Sequence, residues 1–140
     1  MTTSTRSPRD QVSADTIEGV RAALAAYCHA LDDGRTDDVV ALFTDDGRAA
    51  LPGIEPAEGS AALRALYRKV VPTVPQRHLV VNTVVTAGPA GEVEAVSDLL
   101  FVKLGEGGWT APLAGRYVDV LRREGDRWLF VRRSLSFAGV

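Results

Sequence analysis

Residues 77–104, RHLVVNTVVTAGPAGEVEAVSDLLFVKL, carry the pattern that decides the fold. Two runs rich in valine and leucine, 77–87 and 92–104, flank the turn sequence Gly88-Pro89-Ala90-Gly91. Apolar and β-branched runs separated by a glycine–proline turn predict an antiparallel hairpin. The same pattern continues toward the C-terminus in two further runs, 112–123 and 127–137. We therefore expect an antiparallel sheet in the second half of the chain.

Helical periodicity occupies the chain before this sheet. Ser13 is a good N-cap and Gly34 is a stop signal for the first predicted helix. Between them, apolar residues recur at intervals of three and four, which predicts one buried helix face. These residues are Ile17, Val20, Leu24, Tyr27 and Leu31.

Shorter elements are predicted between the first helix and the hairpin. Thr36 and Ser60 are placed to cap a second and a third helix, and the third ends at Val71-Pro72. Asp45-Asp46-Gly47 predicts a turn that leads into a short strand near 48–51. Helices first and hairpins second is the order of an α+β domain, with the helices packed on one face of the sheet.

Length and composition are those of one ordinary globular domain. The chain has 140 residues, of which 46% are hydrophobic and 24% charged, enough for a core and a small cavity. We predict a flexible polar arm at 1–12 and a single domain at 13–140. The net charge of −2 gives no basic field for nucleic acid or an anionic membrane. No apolar run approaches the roughly 20 residues that span a bilayer. One cysteine and no hydrophobic leader make a cytoplasmic location the expectation.

Asp32 and His78 are the strongest candidates for chemistry. His78 is one of two histidines and opens the first strand of the hairpin, where alternation puts it on the same face as Asn82. Asp32 lies at the C-terminal end of the first helix, where the dipole disfavours a carboxylate. A carboxylate that accepts from an imidazole N–H sets its tautomer and leaves the other nitrogen free to move a proton. The alternative is a strand-end histidine that is simply hydrogen-bonded.

Tyr27 is the third candidate catalytic residue. It belongs to the apolar face of the first helix, so packing is the plainer interpretation, yet a buried hydroxyl needs a partner that a substrate oxygen could supply. There is no phosphate loop, nucleotide fingerprint or HExxH, and there are too few histidines and cysteines for a usual zinc site. The predicted site therefore uses neither a metal nor a cofactor.

Further polar residues on the predicted strands are candidates for substrate binding. Arg116 and Tyr117 are adjacent on the third long strand and must point to opposite faces. Arg132 and Arg133 do the same on the last strand, and the sequence does not decide which of them enters the protein. The candidate substrate-binding residues are Asn82, Arg116, Tyr117 and Arg133.

Five motifs, taken in this order, resemble a known family. They are Tyr27-x-x-x-Leu31-Asp32-x-Gly34, Leu42-Phe43-Thr44-Asp45-Asp46-Gly47, Arg77-His78, Gly115-Arg116-Tyr117-x-Asp119 and Trp128-x-Phe130. Together they resemble the SnoaL-like branch of the NTF2-like superfamily, from about Ile17 to Phe137. The resemblance implies an α+β cone, in which N-terminal helices pack on a strongly curved mixed or antiparallel sheet. It also implies a deep apolar pocket at one end and a homodimer.

The resemblance extends to the candidate catalytic residues. Within the superfamily, the set is similar to that of scytalone dehydratase and the bile-acid 7α-dehydratases. This implies a pocket tyrosine at Tyr27, a histidine-orienting aspartate at Asp32 and a catalytic histidine at His78.

We therefore expect a cofactor-independent acid–base enzyme that acts on a small hydrophobic hydroxy-carbonyl substrate, with dehydration as the first choice. Isomerisation of the ketosteroid-isomerase type or polyketide cyclisation would start from the same proton abstraction, so both remain alternatives. A non-catalytic module that binds a small ligand is the other alternative, because a fold does not guarantee chemistry.

Overall fold

A computed structural model describes residues 11–139, and in this range helices pack on a six-stranded mixed sheet. The helices are α1 (Ala14–Asp32), α2 (Thr36–Val40) and α3 (Ser60–Arg68). The strands are β1 (Phe43–Ala50), β2 (Ala57–Glu58), β3 (Gln76–Ala87), β4 (Val93–Gly105), β5 (Gly108–Glu124) and β6 (Arg127–Phe137). The predicted α+β class is confirmed. Residues 1–10 of the predicted polar arm, 1–12, lie outside the described range.

The sheet order is β2-β1-β6-β5-β4-β3, so β3 is an edge strand and α1 packs beside it. β3, β4, β5 and β6 form the predicted antiparallel sheet as a meander, whereas β1 joins β6 in parallel. Bulges interrupt the register of each long strand pair, and bulges bend strands and increase their twist. The core lies between the helices and the inner face of this bent sheet.

Helix α1 forms as its sequence predicts. The side chain of Ser13 accepts a hydrogen bond from the backbone N–H of Thr16 at 3.1 Å. Gly34, just after the helix, has a φ of 71°. The predicted apolar face is buried from Val20 onward, with Tyr27 fully enclosed. None of the helices described here is long and apolar enough to cross a membrane.

The elements between α1 and β3 differ from the predictions in two ways. β1 runs through Asp45-Asp46-Gly47, so the predicted turn there is wrong. Instead, β1 contains a bulge in this segment, because Phe43 pairs with Phe130 but Arg48 pairs with Arg132. The predicted capping by two hydroxyl side chains is also wrong. Thr36 and Ser60 are the first residues of α2 and α3, and the cap positions before them make no side-chain hydrogen bond.

Strand β3 reverses its alternation at Asn82. Asn82 has a φ of 55°, a left-handed conformation that asparagine tolerates better than most residues. Between Val81 and Val84, β3 contains one residue more than the facing part of β4. His78 is on the inner side before this bulge and Thr83 after it, whereas Asn82 is exposed. The prediction that His78 and Asn82 share a face is therefore wrong.

Candidate active site

Asp32 and His78 meet where α1 ends beside the edge strand β3. Oδ1 of Asp32 lies 2.6 Å from Nδ1 of His78, and Oδ2 accepts the backbone N–H of His78 at 2.8 Å. Nε2 of Gln76 donates a third hydrogen bond to Oδ1 at 3.1 Å. An edge strand leaves backbone N–H groups without a strand partner, and the carboxylate of Asp32 satisfies one of them. The same contacts hold the imidazole ring in one orientation.

The Asp32–His78 pair is largely buried, and the Asp32 carboxylate is ionised. The side chains of Asp32 and His78 are 4% and 12% exposed. Burial alone would raise the pKa of Asp32, but the hydrogen bonds from the ring and backbone of His78 hold that pKa below its usual value. An ionised carboxylate can only accept, so Nδ1 is the protonated ring nitrogen when the imidazole is neutral. Nε2 is then the free base.

His78 forms part of the wall of an apolar cavity of about 190 Å³. A cavity of about 150 Å³ is enough for benzene, so this volume fits one ring with small substituents. Twelve residues line the cavity, of which eight are leucine, valine or phenylalanine. They are Tyr27, Leu31, Leu51, Val70, Gln76, His78, Leu99, Phe101, Leu113, Tyr117, Leu135 and Phe137. The ring of Phe101 packs against His78 at a centroid distance of 4.9 Å.

Tyr27 lines the cavity, and its hydroxyl lies 2.9 Å from the hydroxyl of Tyr67 on α3. Burial, together with the nearby Tyr67, raises the pKa of Tyr27 well above its ordinary value, so Tyr27 is a neutral phenol. Sequence reasoning placed Tyr67 in the third helix but gave it no role in the site. The available signal was chemical, since each buried tyrosine hydroxyl requires a partner and the chain has three tyrosines.

Arg133 points into the protein and Arg132 is exposed, which answers a question the sequence left open. The Arg133 guanidinium carbon lies 3.5 Å from the ring centroid of Tyr117 and 4.0 Å from that of Tyr27. Asp119, also fully buried, places Oδ1 3.5 Å from Nε of Arg133. Burial raises the pKa of Asp119 to about 6, and the charge of Arg133 only partly offsets that effect. Tyr117 lines the cavity, whereas Arg133 lies behind the two tyrosine rings.

Three of the four predicted substrate-binding residues do not line the cavity: Arg133 lies behind the tyrosine rings, and Asn82 and Arg116 lie on the other face of the sheet. Asn82 donates to Oδ2 of Asp98 at 3.0 Å, and Nε of Arg116 donates to Oδ1 of the same residue at 2.9 Å. Both side chains belong to the face of the sheet that points away from the cavity, Asn82 because of its bulge and Arg116 because of strand alternation. The structure therefore does not bring Asn82 or Arg116 to the candidate site.

Other reactive groups in the described part of the chain are unremarkable. Burial raises the pKa of the Cys28 thiol to about 11, which leaves the thiol protonated and unreactive. Within residues 11–139, no cluster of three or more histidine, cysteine, aspartate or glutamate side chains could hold a metal ion. His29 is exposed on α1 and lies away from the cavity lining.

Comparison with known proteins identifies a sequence family and related folds. The sequence profile described as the SnoaL-like domain matches residues 12–134. A protein from Catenulispora acidiphila, solved in complex with S-DNPA, is 26% identical with a TM-score of 0.80, over 89% of this chain and 95% of that one. ActVI-ORFA from Streptomyces coelicolor is 22% identical with a TM-score of 0.79, over 89% of this chain and 98% of its own.

A third solved structure identifies the fold by name. It is an NTF2-like protein with a cystatin-like fold from Novosphingobium aromaticivorans. That protein is 23% identical with a TM-score of 0.77, over 88% of this chain and 82% of that one. These similarities confirm the predicted NTF2-like fold.

Proposed function

This chain belongs to the SnoaL-like domain family, and from that premise we propose that it is a cofactor-independent acid–base enzyme. Its substrate would be a small hydrophobic hydroxy-carbonyl compound and its reaction a dehydration. The family includes polyketide cyclases and isomerases, which also work beside carbonyl groups. One observation carries the proposal: a 2.6 Å contact between Asp32 and His78 at the wall of an apolar cavity.

The mechanism follows from the tautomer of the His78 imidazole, in which Nδ1 carries the proton and Nε2 does not. Nε2 of His78 removes the proton from the carbon next to the substrate carbonyl, and the carboxylate of Asp32 balances the imidazolium that forms. The electron pair of the broken C–H bond becomes an enolate. The enolate then expels the β-hydroxyl group, to which the imidazolium returns its proton. Water leaves, a carbon–carbon double bond remains, and His78 is neutral again.

The tyrosine hydroxyls would stabilise the enolate. When Tyr67 donates to Tyr27, the proton of Tyr27 is free to point toward the cavity that its ring lines. Tyr117 lines the same cavity and is the second phenol available to a substrate oxygen. Positioned acid–base catalysis contributes about 10²–10⁴-fold to a rate, and a donor to a developing oxyanion contributes about 10²–10³-fold.

The test is turnover of a series of single-ring β-hydroxy ketones, followed by mass spectrometry of the product. We expect His78→Gln, which removes the base but keeps a similar volume, to abolish the loss of one water from the substrate. His29→Gln is the matched control, because that imidazole is exposed on α1 and outside the cavity. An unchanged rate in His78→Gln would reject the mechanism.

The same measurement separates the alternatives. Family membership favours isomerisation or cyclisation as the second candidate, and either would be detected as a product with a changed retention time. An isomer has the mass of its substrate, whereas dehydration lowers that mass by one water. Stoichiometric binding of the ketones without any product would identify a non-catalytic binding module.

We also propose that the chain acts as a homodimer in the cytoplasm. The face of the sheet that points away from the cavity exposes five large apolar side chains, Leu79, Val81, Val84, Leu100 and Val118. A group of exposed apolar side chains of this kind is typical of an interaction surface. Sedimentation velocity should show a dimer, and Val118→Asp should shift it to a monomer.

A further inference from the structure

Arg133 is the largest of the fully buried side chains, and its surroundings are almost entirely aromatic. Its guanidinium packs on the rings of Tyr117 and Tyr27, with Phe130 at 4.8 Å. The two tyrosines line the cavity and the arginine does not, so their rings separate the cation from the cavity. No guanidinium nitrogen has a hydrogen-bond partner within residues 11–139. No hydrogen bond among the described residues therefore offsets the positive charge of the guanidinium.

The dipole of the buried Asp119–Arg133 ion pair is oriented with its positive end toward the tyrosine rings. Asp119 pairs with Arg133 across β5 and β6, and its carboxylate approaches Nε, on the stem side of the guanidinium. Tyr117 lies two residues before Asp119 on the same face of β5, and the guanidinium extends over its ring. The negative end of the pair is thus at the stem. The positive end faces the rings that line the cavity.

A cation on the face of a phenol ring draws electron density from the ring and strengthens the hydroxyl as a hydrogen-bond donor. Charge interactions are also stronger inside an apolar cavity than in water. Desolvation in the cavity penalises any anion. The cation behind the rings acts against that penalty and favours a negatively charged oxygen over its neutral form. The other titratable groups nearby are Cys28 and Tyr67, which burial keeps protonated, and the Asp32–His78 pair. The Asp32 carboxylate opposes an anionic ligand when His78 is neutral, but it is the same in every variant that changes only Arg133 or Asp119.

We propose that Arg133, acting through Tyr27 and Tyr117, makes the cavity select small apolar rings that carry an anionic oxygen, that is, phenolates or the enolates of cyclic ketones. Arg133 is a positioning residue, because it touches the tyrosines and not the ligand. The inference rests on the proposed function in one respect, that the cavity is the site where an enolate would form. It adds the ligand class that the site prefers.

The experiment is a titration of the protein with 4-nitrophenol, whose phenol and phenolate forms absorb at different wavelengths. The measured quantity is the ratio of bound phenolate to bound phenol, compared between variants at one pH. The double variant Asp119→Asn/Arg133→Met removes both charges of the pair together, a change that buried pairs often tolerate. We expect it to lower the ratio about tenfold, because the cation nearest the rings is lost and the carboxylate that is removed with it lies farther from them.

Two further variants move the ratio in defined directions. Asp119→Asn leaves Arg133 uncompensated and should raise the ratio above that of the wild type. Tyr117→Phe keeps the ring and the ion pair but removes one donor, so it should lower the ratio without disturbing the core. Arg133→Lys keeps the charge and should retain most of the preference. A purely structural role for Arg133 would change affinity in these variants and leave the ratio unchanged.

Controls separate the cavity and Arg133 from other sources of the preference. Arg116→Met removes an exposed arginine bound to Asp98 and should leave the ratio at the wild-type value. Leu99→Trp fills the cavity and should abolish binding. The proposal is overturned by an unchanged ratio in the double variant, by binding that survives Leu99→Trp, or by a preference that disappears only in His78→Gln. Because no turnover is measured, its failure is independent of the failure of the acid–base mechanism.

Discussion

Two carboxylates in this protein, Asp32 and Asp119, have basic partners, yet their pKa values are shifted in opposite directions. Asp32 accepts hydrogen bonds from Gln76 and from the backbone and ring of His78, and its pKa is lowered. Asp119 faces a full positive charge on Arg133, but neither of its oxygens has a hydrogen-bond partner in the part of the chain that is described, and burial raises its pKa to about 6. The opposite shifts have two causes: Asp32 is less deeply buried and accepts directed hydrogen bonds, whereas Asp119 is fully buried and has only a nearby cation.

The two pairs also differ in what they can do. The Asp32–His78 pair lies at the cavity wall, and the imidazole belongs to the cavity lining. The Asp119–Arg133 pair is enclosed by aromatic rings, and only its electric field reaches the cavity. The proposed roles differ accordingly: proton transfer for the first pair and selection of the charge of the ligand for the second.

The largest expected effect comes from breaking the Asp119–Arg133 pair on one side. Arg133→Met leaves the Asp119 carboxylate buried without its cation, and such changes cost about 3–5 kcal/mol of folding free energy. Urea denaturation should show this loss. The double variant Asp119→Asn/Arg133→Met should recover most of it, and a double variant as unstable as the single one would show that the arginine acts by packing alone.

Breaking the Asp32–His78 pair should affect activity more than stability. Asp32→Asn removes the acceptor that orients the imidazole, and we expect the rate of the proposed dehydration to fall about 10²–10⁴-fold, the contribution of positioned acid–base catalysis. Steady-state kinetics of the product would measure the loss. Asp33→Asn is the matched control, because that neighbouring carboxylate is exposed and lies outside the cavity. Equal effects in the two variants would contradict the assigned role.

The pH dependence of folding should differ between the wild type and the double variant Asp119→Asn/Arg133→Met. The pKa of Asp119 is raised from its ordinary value near 4 to about 6 in the folded protein, so the folded state binds the extra proton between these values. The stability that Asp119 contributes is therefore present below about pH 4 and is lost as the pH rises through about 6.

We expect the free energy of unfolding of the wild type, minus that of the double variant, to fall by roughly 2–3 kcal/mol between pH 4 and pH 7. Urea titrations at fixed pH values would measure it. A difference that rises over this range would mean that Arg133 outweighs burial at Asp119. The contribution of Asp32 has the opposite sign and lower pH range, and it cancels in the subtraction because both proteins retain it.

The smallest expected effect is at the exposed pair of Arg116 and Asp98. Arg116→Met breaks a 2.9 Å ion pair on the face of the sheet that points away from the cavity. Exposed ion pairs contribute about 0–1 kcal/mol, so the midpoint of urea denaturation should move little. A large loss would show that this ion pair is buried in solution rather than exposed.

Local sequence patterns determined the first helix and the long strands of this protein. The spacing of Val20, Leu24 and Tyr27 gave one buried helix face, and glycine-containing turns separated the strands of the sheet. The pairing of Asp32 with His78 was also predictable, because a carboxylate at the end of a helix and an imidazole among valines each require a partner. These inferences succeed because helix and strand periodicity and the need to satisfy buried polar groups act over a few residues.

Tertiary structure alone decided which polar side chains face the cavity. A one-residue bulge at Asn82 turned that side chain outward, and a single register choice sent Arg133 inward and Arg132 outward. The hydroxyl pair of Tyr27 and Tyr67 joins residues 40 positions apart. Register, bulges and such distant contacts depend on how whole elements pack, and a shift of one residue exchanges the two faces of a strand.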